Sequence, residues 1–260
     1  MKPRSVLILG SSNVNFSHDG RHLSGLVQGR LNAAGHVDWT VWAEIAHPSR
    51  SMAKSAVRLA DEHEADVVVV AIAAFPFTYE FVVNRVRRRW PVLYRPVLAL
   101  SQTMKRVAGG ESEPQTSPRS LIYRIPEAVA LRLIGGETSI TVEHAIENTT
   151  AALEALAQLE DTAVIVRLPV GGMRASRARA ARYEERLSRF RSAISEVCRH
   201  RHMPVVDVAA ELRFAGKSRG HGFDGIHLDH ETRNFEAELL ARAILAAVST
   251  NAAFPAAPLS

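Results

Sequence analysis

Six consecutive apolar residues, Val67-Val68-Val69-Val70-Ala71-Ile72, follow Asp66 and constrain this chain more than any other stretch. A β-branched run of this kind has no polar side to turn toward water. As a strand it must be covered on both faces, the condition met inside a parallel sheet flanked by helices. Ser5–Leu9 (Ser-Val-Leu-Ile-Leu) and Thr162–Leu168 have the same character, Val37–Ile45 alternates, and Met203–Val208 completes a predicted set of five strands. The segments between them carry apolar residues at helical spacing: Leu23–Ala34, stopped by Gly35, then Met52–His63, Val142–Leu159, Arg174–His200 and Thr232–Val248. Strand and helix in alternation predict an α/β protein, with a three-layer α/β/α arrangement and right-handed crossovers.

Residues 76–160 interrupt that rhythm and read as a helical insertion or lid within one domain spanning 1–250. Phe75-Pro76-Phe77 breaks the third strand, and Thr78–Trp90 is expected to be helical. Between Asn84 and Arg106 there are seven basic residues (Arg85, Arg87, Arg88, Arg89, Arg95, Lys105, Arg106) and no acid, with Trp90, Val92 and Leu93 among them. A solvated helix face is one reading of this segment. A peripheral lipid contact, arginines on anionic headgroups and apolar side chains on acyl chains, is another. Nucleic acid is not expected as a partner, because no stacking platform or groove-reading motif accompanies the charge. Gly109–Pro118 reads as a polar loop, and the Ala/Pro-rich tail 251–260 is expected to be disordered.

The chain carries a formal charge of +5 over 260 residues, and its one cysteine, Cys198, excludes an internal disulfide. The apolar run before Gly10 is too short for a signal-peptide core, and no stretch reaches the roughly 18 apolar residues of an integral membrane span. The cytoplasm is the expected location. Oligomeric state is not legible.

Candidate chemistry sits at the two ends. The first strand stops at Gly10-Ser11-Ser12-Asn13, where a parallel sheet presents side chains to a ligand. Asp224-Gly225-Ile226-His227 supplies an imidazole and a carboxylate on one loop. A serine hydroxyl needs a base to become a nucleophile, and a histidine oriented by a carboxylate provides one. Ser12, His227 and Asp224 are therefore the candidate nucleophile, base and orienting acid. A capping role for Ser11 and Ser12 is the bland alternative. A metal site built from His221, Asp224 and His227 has no diagnostic spacing, so neither metal nor cofactor is expected.

Gly10-Ser11-Ser12 after a first strand, with Asp224-x-x-His227 before a final helix, resembles the SGNH/GDSL hydrolase family over roughly residues 4–75 and 160–248. The resemblance implies a flavodoxin-like fold and hydrolysis of a carboxylic ester, of a lipid or a small acyl group, through an acyl-enzyme on Ser12. It also implies Asp224 and His227 as triad partners and the Ser12 N–H as an oxyanion donor. Three positions depart from the family pattern: Ser11 replaces Asp, Glu44-Ile45-Ala46-His47 lacks the second-block Gly, and Ala74 stands where an oxyanion Asn is usual. Asn13, Asn15 and His47 are the candidate replacements. The alternative implied by the same departures is a non-hydrolytic relative, either an acyltransferase or a ligand-binding pseudoenzyme.

Overall fold

The computed structural model describes residues 3–10, 22–35, 37–96, 99, 133, 135–171, 177–217 and 228–253. Five parallel strands form one sheet in the order β2-β1-β3-β4-β5: β1 Arg4–Gly10, β2 Trp39–Ile45, β3 Val67–Ala71, β4 Ala163–Arg167 and β5 Val205–Val206. Eight helices accompany them among the described residues: α1 Leu23–Ala34, α2 Met52–Glu62, α3 Phe75–Thr78, α4 Val82–Arg89, α5 Val142–Leu156, α6 Arg177–His200, α7 Val208–Phe214 and α8 His230–Ala253.

Strand periodicity sorts the core into two clusters. Leu7 and Leu9 of β1, Val68 and Val70 of β3, and Val164 and Val166 of β4 face α2, α5 and α6. Val6 and Ile8, Val67, Val69 and Ala71, and Ile165 face α1 and α8. Every residue of β3 is buried, as its sequence requires. The inner stripe of α6, Tyr183, Leu187, Phe190 and Ile194, enters the first cluster together with the fully buried Cys198. Burial pushes the Cys198 thiol up to about 11, so it remains a packed, protonated side chain.

Four elements differ from expectation. Thr78 belongs to the short helix α3, whose first turn tolerates Pro76, and Tyr79–Phe81 is extended before α4 begins at Val82. The pairing of Phe81 with Glu137 explains the break: each N–H donates to the other's carbonyl, at 2.9 and 3.1 Å. The fifth strand is only two residues long, because Asp207 leaves the sheet to cap α7 by accepting from the Ala210 N–H at 2.9 Å. Helix α7 itself was not expected. It ends at Phe214, and beyond it the φ of +66° at Gly216 lets the Lys217 N–H reach the Leu212 carbonyl at 2.8 Å. The final helix extends from His230 to Ala253, past the predicted boundary at 251.

The described parts of the insertion are tied to the sheet layers. Glu80 accepts from Arg182 Nε and Nη2, and from Arg186 Nη2, each at 3.0 Å. Burial raises the Glu80 carboxyl, but these hydrogen bonds and charges outweigh it and hold it below the ordinary range. Phe77 of α3 stacks on Phe190 of α6 with ring centroids 4.4 Å apart. Phe190→Ala removes a fully buried ring and is expected to lower unfolding stability by about 3–5 kcal/mol in chemical denaturation.

Candidate active site

The strand register shows which residues share the carboxyl edge. Gly10 pairs with Ile45 and Ala71, Ala71 with Arg167, and Arg167 with Val206. Strand order reverses at β1, which lies between β2 and β3, so the crevice beyond Gly10 is the topological switch point where ligands bind in such sheets. The chain passes from Gly10 straight into Ser11 and Ser12. Those two residues, with Asn13, Asn15, Asp224, His227 and also His221, lie outside the described residues.

Helix α1, which follows the Ser12 segment, starts at Leu23 with His22 at its N-cap. Helix α8 follows the His227 segment. Helices α1 and α8 pack against each other on one face of the sheet, with Leu23, Val27 and Leu31 sharing a cluster with Ala237, Leu240 and Ile244. Arg30 Nη2 donates to the Asn234 carbonyl at 3.0 Å across that contact. The segment leaving β1 and the segment entering α8 therefore feed neighbouring helices.

The start of α8 is held firmly. Leu228, directly after His227, is buried, and its carbonyl accepts from Arg233 Nη2 at 2.9 Å. Asp229 caps the helix through Oδ1, accepting from the Thr232 N–H at 2.8 Å. One turn further on, Glu236 Oε1 lies 2.6 Å from Arg167 Nε, with the side chains 3% and 6% exposed. This contact is an ion pair rather than an aligned hydrogen bond. Arg167 ends β4 on the face of Ile165, two strands from Gly10, so the pair fastens the beginning of α8 to the carboxyl edge. Arg167, Arg233 and Glu236 were not singled out from the sequence. The available signal was a charge at the end of Val164-Ile165-Val166, at a position whose parity points into the core.

His47 and Ala74 are the two candidate site residues that can be placed. The Ala46 N–H donates to the Gly10 carbonyl at 2.6 Å, tying the end of β2 to the end of β1. His47 follows on this edge and is exposed. Ala74 is buried in the apolar cluster beneath α3. Its carbonyl accepts from Thr78 Oγ1 at 2.6 Å and from the Thr78 N–H at 3.0 Å. Its side chain is a methyl group and donates no hydrogen bond. Among the described residues no cluster of three or more His, Cys, Asp or Glu side chains could hold a metal.

Beyond the ends of β4 and β5 lies an open groove of about 410 Å³, lined by Leu168, Leu187, Ser188, Arg191, Asp207 and Arg213. On its wall, Arg191 pairs with Asp207 and donates from Nη1 to the Pro169 carbonyl at 2.7 Å. Burial raises the Asp207 carboxyl. Hydrogen bonds from Arg191 and the Ala210 N–H, with the Arg191 and Arg213 charges, more than offset this and hold it below the usual range.

Two expectations follow. Glu236→Gln strands the Arg167 charge and should cost about 3–5 kcal/mol by denaturant titration, whereas Arg167→Met combined with Glu236→Leu should lose far less. A depressed Asp207 stabilises the fold fully above its unfolded value near about 4, and the contribution fades as pH falls through the lower folded value. The stability difference between wild type and Asp207→Asn should therefore shrink on acidification and be constant from mildly acidic to neutral pH.

No protein-family model and no curated protein matches the chain. Solved structures do. A lipase/acylhydrolase from Enterococcus faecalis superposes with a TM-score of 0.54 at 16% identity, covering 93% of this chain and 95% of its own. A carbohydrate acetylesterase from Sinorhizobium meliloti gives 0.53 at 11% identity, with 94% and 99% covered. A protein named as a GDSL-like lipase, from Parabacteroides merdae, gives 0.53 at 14%, with 93% and 95% covered. By this superposition over nearly the whole chain, it has the fold of the SGNH/GDSL lipases and acylhydrolases.

Proposed function

We propose that the chain is an SGNH/GDSL-type serine ester hydrolase that cleaves a carboxylic ester through an acyl-enzyme on Ser12. The observation that supports the reading is where the described residues next to each motif lie. Gly10 ends β1 at the switch point, and Leu228 leads into α8, the helix that packs against α1 and is pinned to the end of β4. Lipases and acetylesterases among the structural neighbours support ester chemistry at the same level.

In this reading His227 takes the Ser12 hydroxyl proton as the oxygen attacks the ester carbonyl, and Asp224 orients the ring and stabilises the imidazolium. Collapse of the tetrahedral intermediate expels the alcohol, protonated by His227. Water activated by the same imidazole then releases the acid. The Ser12 N–H serves the oxyanion. Ala74 adds no side-chain donor, so Asn13, Asn15 or His47 takes that place. A single such donor is worth about 10²–10³ in rate, and its identity sets how fast this enzyme can be. The acyl group is small or lipid-derived.

A fluorophosphonate probe should label wild type and leave Ser12→Ala unlabelled; equal labelling of both would falsify the nucleophile. Across p-nitrophenyl esters of increasing chain length, His227→Ala should lower kcat about 10²–10⁴-fold. Undiminished turnover in that variant removes the base from the mechanism. Added alcohol that diverts product from acid to a new ester would favour acyl transfer over hydrolysis.

A further inference from the structure

Helix α4 and the helical turn after it carry an exposed surface that the proposed chemistry does not use. Val86 is the one buried residue of α4, while Arg87, Arg88 and Arg89 lie on its exposed side. The Trp90 N–H closes the helix on the Val86 carbonyl at 2.8 Å, and the Leu93 N–H then bonds the Trp90 carbonyl at 2.9 Å. This tight corner projects Trp90, Val92 and Leu93 outward, 43%, 88% and 52% exposed. Arg95 is exposed just beyond. Arg88 meets Glu137 at 3.3 Å, but Arg87, Arg89 and Arg95 have no ion pair among the described residues.

Exposing an indole and two branched aliphatic side chains within four residues is unfavourable in water, and neighbouring arginines with no ion pair among the described residues do not offset that. Both features are satisfied at the boundary of an anionic bilayer. Guanidinium groups pair with phosphates, the indole lies at headgroup level, and the aliphatic side chains reach the first methylenes. The other occupants fit less well. A second copy docked patch to patch would set arginine against arginine. Nucleic acid would satisfy the charge and one ring, yet Val92 and Leu93 offer no flat face for a base.

We infer that the 87–95 corner is an anionic-membrane docking surface, through which the protein binds peripherally to phospholipid bilayers. Among the described residues no helix is long and apolar enough to cross a membrane, so the contact is interfacial. The inference is independent of the assignment of Ser12 as nucleophile.

Full-length protein is incubated with sedimentable vesicles of phosphatidylcholine, with or without about one-third phosphatidylglycerol. Binding should require the anionic lipid and should collapse near about 1 M salt, where charges are screened within about 3 Å. Each neutralised arginine should weaken partitioning about fivefold, so Arg87→Gln with Arg89→Gln should weaken it about twenty-five-fold. Leu93→Ser should also weaken it. Brominated acyl chains should quench tryptophan fluorescence in wild type and not in Trp90→Phe. Matching unfolding midpoints establish that the variants are folded. Equal binding by wild type and the double arginine variant, no binding at low salt, or no quenching through Trp90 overturns the proposal. So does equally tight binding of an oligonucleotide or an acidic peptide that is insensitive to Leu93→Ser.

Discussion

Burial of the two central strands on both faces is the constraint from which the rest of the structure follows. Neither β1 nor β3 offers a polar side, so helices must cover the sheet above and below. Their parallel pairing then requires crossovers, and right-handed crossovers on both faces produce the order β2-β1-β3-β4-β5. A switch point at the end of β1 is a consequence of that order. The Gly10 turn thus falls where a ligand can approach through the topology of the core.

The buried ions deserve a separate physical account. Removing Arg167 and Glu236 from water carries a desolvation penalty that their attraction only partly offsets, and an apolar pair of similar volume would serve packing equally well. What the ion pair adds is direction. An apolar contact tolerates sliding, whereas paired charges in a low-dielectric interior allow few alternatives. Here the pair fixes the start of α8 against the end of β4, close to the Arg233 contact that holds the Leu228 carbonyl. The charge cluster therefore lies where a loop carrying a general base would need a rigid exit.

Much of the architecture was legible because it rests on short-range patterns. The β-branched runs, the helical stripes and the Gly35 stop depend on residues within a turn or two of each other. Elements whose limits depend on distant partners were misjudged. Met203–Val208 reads as a strand until Asp207 turns to cap α7 and pair with Arg191. Thr78–Trp90 reads as one helix until Glu137, more than fifty residues away, draws Phe81 into a bridge. Of the candidate site, the strand-ending Gly10-Ser11-Ser12 and the Asp224-x-x-His227 spacing were visible as motifs. The Arg167–Glu236 contact was not, since no local pattern links a strand end to the second turn of a helix some seventy residues later.

By itself the sequence determined the class of fold, the two-faced burial of its central strands and the residue types available for acyl chemistry at each end of the chain. These are properties of side-chain polarity and backbone preference, which act locally. The tertiary structure alone decided that α1 and α8 are neighbours, that Ala74 faces the core, and that buried charge pins α8 to the carboxyl edge. It also decided that Trp90, Val92 and Leu93 are exposed near Arg87, Arg89 and Arg95, which form no ion pair among the described residues. Each of these depends on which distant surfaces meet, and that is set by packing the whole chain around one sheet.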